Sequence, residues 1–316
     1  MPALAVSYSG LFGGAERVLL ELAEGLPERP LLACPPGALA GAARARGLGV
    51  FELRERSLEL RRSLRDRLAM PVRIAAQASE VRALAASARP DVVLAWGMRA
   101  GLACTAARPN VPLVIQHNDL LPGPLIARAV RAAAVRAQLV VSASECVARD
   151  LDPDGMLGDR LRVVRPGIDL HRFRPTEHRA DGGREVLLLG AIEPWKRPEL
   201  ALEAVAIAAR ELPELRLRVA GAPIGAEGRR LLERLRLRAE QPDLRGRVVF
   251  AGPVARPDRA LASASCLLHC ADREPYGLVV AEALAAGVPA VAPDSCGPAE
   301  IVEPDCGRLY PPGDAR

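Results

Sequence analysis

Glu274-Pro275-Tyr276-Gly277-Leu278-Val279-Val280-Ala281-Glu282 sets two carboxylates on either side of seven residues. Residues 264–269 just upstream read as a β-strand, and a helix begins near Gly277. Glu274 then falls in the loop before the helix. Glu282 falls one to two turns in, on the polar face. A strand that feeds a helix in this way opens the helix N-terminus at the carboxyl edge of a sheet, where open α/β folds bind ligands. The free N–H groups of a first turn suit an anion such as a diphosphate. Carboxylates instead accept hydrogen bonds from hydroxyls, as on ribose or a sugar. One short segment thus offers a phosphate seat and two hydroxyl grips, a combination that suits a nucleotide sugar. Two glutamates eight apart also occur on ordinary solvated helices. Gly277, Gly287, Pro289 and the flanking strands weigh against that reading.

Working outward, the rest of the chain repeats a strand–helix alternation. Residues 4–8 form a short strand, 9–14 a loop, and a helical apolar period starts at Ala15. Gly13-Gly14 in that loop lets a backbone approach a ligand, or serves a tight turn that needs glycine dihedrals. The G-x-G-x-x-G spacing of a dinucleotide site is absent. Further strands are expected at 31–34, 50–53, 91–96, 111–116, 139–141 and 161–165. The pattern restarts at 186–189, 215–220 and 247–250, with helices over 197–210 and 226–240. The fold class is therefore α/β, with two Rossmann-like domains and a cleft between them. The expected boundaries are 1–175, a polar linker at 176–184, and 185–316.

The 316 residues suit two domains of ordinary size. Aromatic residues are only 3%, so alanine, leucine and valine must fill the cores. The net charge of +5 is spread along the chain, without the concentrated stripe that nucleic-acid binding requires. Lys196 is the only lysine. The seven cysteines contain no C-x2-C pair, which sets the expectation of buried free thiols in a reducing compartment. No apolar run is long enough to span a bilayer, and the chain starts directly with a strand rather than a secretory leader. A cytoplasmic protein is expected. Residues 54–68 carry arginines among Leu60, Leu64 and Leu68 at helical spacing. That stretch is either a solvated surface helix or a peripheral contact with the cytoplasmic membrane face.

Glu274 to Glu282, continued by Ala283-Leu284-Ala285-Ala286-Gly287-Val288-Pro289, resembles the E-x7-E signature of retaining glycosyltransferases of family 4, which have the two-domain GT-B fold. Gly13-Gly14-Ala15-Glu16-Arg17-Val18 resembles that family's glycine-rich loop. Residues 166–175 resemble its interdomain segment, with Pro166 in place of asparagine. The resemblance implies transfer of a sugar, hexosyl or related, from a nucleotide sugar to an acceptor hydroxyl, with retention and without a metal or other cofactor.

By the same resemblance Glu274 holds the transferred sugar, Glu282 the donor ribose, and Lys196 with the amides of Gly277, Leu278 and Val279 the diphosphate. Arg197 stands where the family has glycine and is read as a cation compensating for the missing arginine, and His117, expected to emerge from a strand end into the crevice, contacts the donor sugar. Gly13 and Gly14 complete the donor face, and the backbone of Ser295 and Gly297 faces sugar or phosphate. The family's usual arginine is missing at Ala191, and Cys296 replaces a glycine. Members normally continue with further helices past a motif like Gly307 to Asp314, so the helical tail reads as missing or shortened. The surface it would cover would be exposed or buried in a homodimer. The acceptor is not legible: glycans, lipid-linked groups and small molecules remain open. The rival readings are a sugar-nucleotide epimerase or hydrolase on the same architecture, and a catalytically degenerate subunit that binds a nucleotide sugar.

Overall fold

In the computed structural model, residues 2–55, 64–175 and 184–316 are described. The chain divides into two compact units, Met1–Pro166 and Gly167–Arg316. The first contains β1 (Ala3–Ser7), α1 (Gly14–Gly25), β2 (Leu31–Cys34), α2 (Ala38–Ala45), β3 (Val50–Glu52), α3 (Leu64–Ala88) and β4 (Val92–Trp96). It continues through α4 (Met98–Ala107), β5 (Leu113–His117), α5 (Pro124–Ala134), β6 (Leu139–Ser142), α6 (Glu145–Leu151) and β7 (Leu161–Val163). Its seven strands are all parallel, in the order β3-β2-β1-β4-β5-β6-β7.

The second unit contains β8 (Glu185–Leu189), α7 (Pro198–Ala208), β9 (Arg216–Ala220), α8 (Gly225–Ala239), β10 (Val248–Gly252) and α9 (Pro257–Ala262). It closes with β11 (Cys266–Leu268), α10 (Leu278–Ala285), β12 (Ala290–Pro293), α11 (Cys296–Ala299) and β13 (Gly307–Tyr310). Its parallel sheet has the order β10-β9-β8-β11-β12-β13.

Both sheets are buried on both faces, as parallel sheets with crossover helices must be. In β1, Leu4 and Val6 join one core while Ala5 joins the other. In β8, Val186 and Leu187 divide the same way. Side chains alternate across a strand, so a continuous apolar run serves two cores at once. Each sheet also has a point where the strand order reverses, between β1 and β4 and between β8 and β11. Loops leaving the carboxyl ends diverge there and open a crevice within each unit.

The structure moves two expected boundaries. The second unit starts at Gly167 rather than after residue 175. The cause is Phe173, which is 3% exposed in the core built from β8, β11 and α10 side chains. The polar composition of the following residues marks a linker by sequence, and 176–183 lie outside the described residues. The helix expected from residue 72 instead starts at Leu64 and carries Pro71 inside it. Residues 56–63, most of the stretch read as a surface or membrane-contacting helix, also lie outside the described residues. Among the described residues no helix is long and apolar enough to cross a membrane. Cys34, Cys104, Cys266, Cys270 and Cys306 are free thiols, Cys266 and Cys306 only partly buried; Cys146 and Cys296 are not among them.

Phe173→Ala should lower the unfolding free energy of the second unit by about 3–5 kcal/mol, because a buried aromatic ring is removed. Calorimetry of the full chain should show the shift in one transition, with the first unit's transition in place.

Candidate functional site

The segment between β11 and α10 sits beside the order reversal of the second sheet. Gly277 caps α10 with φ +98, a left-handed conformation that glycine reaches without strain. The first bond of the helix runs from the Val280 N–H to the Gly277 carbonyl at 2.9 Å. The N–H groups of Gly277, Leu278 and Val279 precede it and take no part in the helix's own bonds, as at any helix start.

Glu274 lies in the loop and is 12% exposed. Its Oε2 contacts Lys196 Nζ and lies 3.4 Å from His269 Nε2. Both contacts fall on Oε2 rather than Oε1. Burial alone would push this carboxyl up. The histidine contact and the lysine charge outweigh burial and hold it at about 2. Lys196 ends a 3-10 turn, Pro194–Lys196, in the loop after β8. Its ammonium also lies 4.0 Å from the centre of the Trp195 ring, a cation–π contact. Arg197, next in sequence, pairs with Asp272 of the loop before α10. Two cations after β8 thus meet two carboxylates after β11, joining the loops that flank the reversal.

The loop is held from its other side by the chain after β12. The Ser295 hydroxyl donates to the Asp272 carbonyl at 2.6 Å, and the Gly297 N–H donates to the Glu274 carbonyl at 3.1 Å. A Cβ at Gly297 would stand 2.2 Å from the Tyr276 carbonyl oxygen, so only glycine allows this approach. Ser295 N–H already donates to Pro293. The backbone groups expected to face sugar or phosphate at Ser295 and Gly297 are therefore engaged with the protein itself. Both residues support the site from behind.

Glu282 also departs from expectation. It is 4% exposed rather than on a polar face. The helix sequence LVVAEALA has no polar face to offer, and a helix apolar all round is buried.

In the first unit, loops at the carboxyl ends of β1, β4 and β5 line a cavity of about 670 Å³ that includes Tyr8, Glu16, Trp96, Arg99 and Asp119. Gly13 lies in the β1 loop and caps α1 with φ −115, and its N–H donates to Glu16 Oε2 at 2.9 Å. Gly14 is the first residue of α1. The turn does not require left-handed glycine at Gly13.

His117 does not open into this cavity. As the last residue of β5 it shares the parity of Ile115, and both face the layer of α4 and α5. It is fully buried, and neither ring nitrogen has a hydrogen-bond partner among the described residues. Burial pushes it down to about 4, against a smaller opposing effect of Asp150, so the ring is neutral at pH 7.

The structure thus brings together Glu274, Lys196, Arg197 and the first turn of α10. It adds three residues that sequence reading missed: His269, Asp272 and Trp195. His269 stands at a strand end in the sequence, a signal that was available. The partners of Asp272 and Trp195 become visible only in the fold. Among the described residues no cluster of three or more His, Cys, Asp or Glu is placed to hold a metal ion.

Residues 12–172 match the family described as Glycosyltransferase Family 4, and residues 171–316 match Glycosyl transferases group 1. The chain belongs to this family of glycosyltransferases. Among curated relatives it is 34% identical over 177 residues to a D-inositol 3-phosphate glycosyltransferase of Streptomyces scabiei, covering 49% of this chain and 40% of that protein. It is 36% identical over 143 residues to the protein of the same name from Mycobacterium avium, covering 42% and 32%. The matches therefore span less than half the length of these relatives. Among solved structures, Anabaena HepE in complex with UDP-glucose gives a TM-score of 0.84 at 22% identity, over 100% of this chain and 86% of that one. A sucrose-phosphate synthase from Thermosynechococcus elongatus gives 0.80 at 18% identity, over 99% and 86%. These likenesses show the fold, two Rossmann-like domains of the GT-B kind.

In the second unit Glu274 and Glu282 stand eight residues apart, and Lys196, the only lysine, meets the first of them. Glu274 titrates lower in the folded chain than its ordinary value of 4.5. The stability it contributes is full above pH 4.5 and is lost as pH falls toward 2. Glu274→Gln should therefore unfold at lower urea than the parent at pH 7, and the gap should narrow steadily from pH 4.5 toward pH 2. Gly297→Ala should keep its far-ultraviolet circular dichroism yet shift the loop 272–277, read as loss of the fluorescence signature of the neighbouring Trp195.

Proposed function

We propose that the chain is a retaining glycosyltransferase that moves a sugar from a nucleotide-sugar donor to an acceptor hydroxyl, without a metal. The observation that carries this reading is the contact of Lys196 with Glu274 beside the open first turn of α10. A diphosphate at that turn meets the amides of Gly277, Leu278 and Val279 together with Lys196. Glu274 Oε1 then accepts a hydrogen bond from a sugar hydroxyl, and Glu282 serves the donor ribose. The relatives named D-inositol 3-phosphate glycosyltransferase and the HepE complex with UDP-glucose support the donor class.

In the reaction the bond between the anomeric carbon and the diphosphate oxygen breaks. A bond from the acceptor oxygen forms on the same face, and the acceptor proton passes to the leaving diphosphate. Negative charge grows on that leaving group, so a cation already in place favours the transition state over the ground state. Both glutamates bind hydroxyls in this reading, and neither is a covalent nucleophile.

A second reading, a subunit that binds a nucleotide sugar without turnover, is favoured by one observation. With Ala191 in place of arginine, each cation of the loop after β8, Lys196 and Arg197, is already held by a carboxylate.

Titration calorimetry with uridine, guanosine, adenosine and thymidine diphosphates and their common sugar conjugates, in chelator, tests the proposal. One base should bind saturably, and its sugar conjugate should release nucleoside diphosphate when an acceptor is supplied. No binding by a folded chain would overturn the reading, and binding without turnover in an acceptor screen would favour the second. Glu282→Ala should weaken donor binding. Glu274→Ala should lower kcat by about 100-fold, while nucleoside-diphosphate affinity changes less, because the sugar contact matters most in the transition state.

A further inference from the structure

His269 lies one residue past β11, on the carboxyl edge of the second sheet, and is 4% exposed. Its backbone is fixed on both sides. The N–H donates to the Val291 carbonyl at 2.8 Å, and the carbonyl accepts from the Tyr310 hydroxyl at 2.9 Å. Those partners sit on β12 and at the end of β13, so the ring's attachment point cannot drift. Its Nε2 is buried and has no nearer partner than Glu274 Oε2, at 3.4 Å. That distance is long for a hydrogen bond to a charged carboxylate, which usually closes to about 2.7–2.9 Å. The contact has room to tighten.

Lys196 touches the same oxygen. A bound diphosphate and Glu274 therefore compete for one ammonium group, the only lysine of the chain. In the same two loops Arg197 and Asp272 are paired with each other, and Arg273, next to Glu274 in sequence, is exposed. Were Lys196 to turn to the diphosphate, a nearly buried carboxylate would lose its cation. An unpaired buried charge is costly and takes up a proton instead. A protonated Glu274 would donate where the sugar hydroxyl needs an acceptor.

Resting on the proposed donor site, we infer that His269 is a positioning residue: it takes over Glu274 Oε2 when the donor diphosphate draws Lys196 away. The imidazole donates its Nε2–H to Oε2. Glu274 stays ionised, and its other oxygen, Oε1, accepts from the transferred sugar.

The test compares the full chain with His269→Gln, which keeps an amide donor at similar reach, and with His269→Leu, which keeps bulk but no donor. The readout is kcat against pH at saturating donor. His269→Leu should lose about 10- to 100-fold in kcat at pH 6, the cost of a buried carboxylate left without its donor. It should recover as pH rises, because its Glu274 must be deprotonated by solvent pH alone. His269→Gln should stay within a few-fold of the parent across the range. A loss in His269→Leu that is equal at every pH, or one shared by His269→Gln, would overturn the inference, since a structural role alone would give either result.

A second measurement needs no donor. Urea unfolding of His269→Leu, Glu274→Gln and the double variant at pH 7 should give non-additive shifts in midpoint, and additivity would overturn the inference. If the parent chain binds no nucleotide sugar, the proposed function falls, and this cycle still decides whether His269 holds Glu274.

Discussion

One ammonium group joins the two loops on which the second unit's site is built. Lys196 arrives on the loop after β8 and Glu274 on the loop after β11, strands that are neighbours at the reversal of the sheet. Parallel strands on either side of a reversal send their connections in opposite directions, so nothing in the sheet itself brings these loops together. The ion pair does so, helped by Arg197 with Asp272. With Lys196 22% and Glu274 12% exposed, the pair is partly desolvated. Such a pair adds little net stability, but removing one member leaves the other stranded at considerable cost. Its value is geometric: it fixes a carboxylate oxygen and a cation at the mouth of a helix.

The surroundings enforce that geometry from behind. Gly297 presses its backbone against Tyr276 and donates to the Glu274 carbonyl, and Ser295 binds the Asp272 carbonyl. These contacts place the loop without using the amides of the first turn of α10. The protein's own contacts therefore hold the site's geometry, which in the proposed reaction would leave little reorganisation as charge develops on a leaving group. The cost of this arrangement is that both cations begin with carboxylate partners. In the proposed donor site a diphosphate would compete with Glu274 for Lys196, which is where the neighbouring histidine enters.

The sequence made the scaffold legible because parallel strands buried on two faces must be continuous apolar runs. Residues 91–96 and 186–189 stand out for that reason, and the observed β4 and β8 differ from them by one residue at an end. The E-x7-E segment was legible because glycine, a strand and an apolar helix frame it. Side-chain environments were not. Glu282 was assigned a polar face by its own polarity, although the residues around it leave no such face. Gly297 looked like a source of amides, and only its approach to Tyr276 reveals why glycine stands there. Phe173 belonged to the second core although the polar stretch that suggested a boundary comes after it.

The two histidines at strand ends show what decides such cases. His117 ends β5 and His269 follows β11. Both are buried, and both stand where loops leave a carboxyl edge. By residue type and position in the chain they are equivalent, and His117 was the one singled out. What each ring meets separates them. His117 shares a face with Ile115 and meets the apolar layer of α4 and α5, where a neutral ring without partners fills space. His269 turns toward the loop and meets a carboxylate. Each ring follows by two residues a buried apolar side chain, Ile115 or Leu267, so alternation along the strand does not tell them apart. Chemistry at a sheet edge is thus set by what the neighbouring loops and helices bring to the strand end, a quantity that a residue's own identity does not carry.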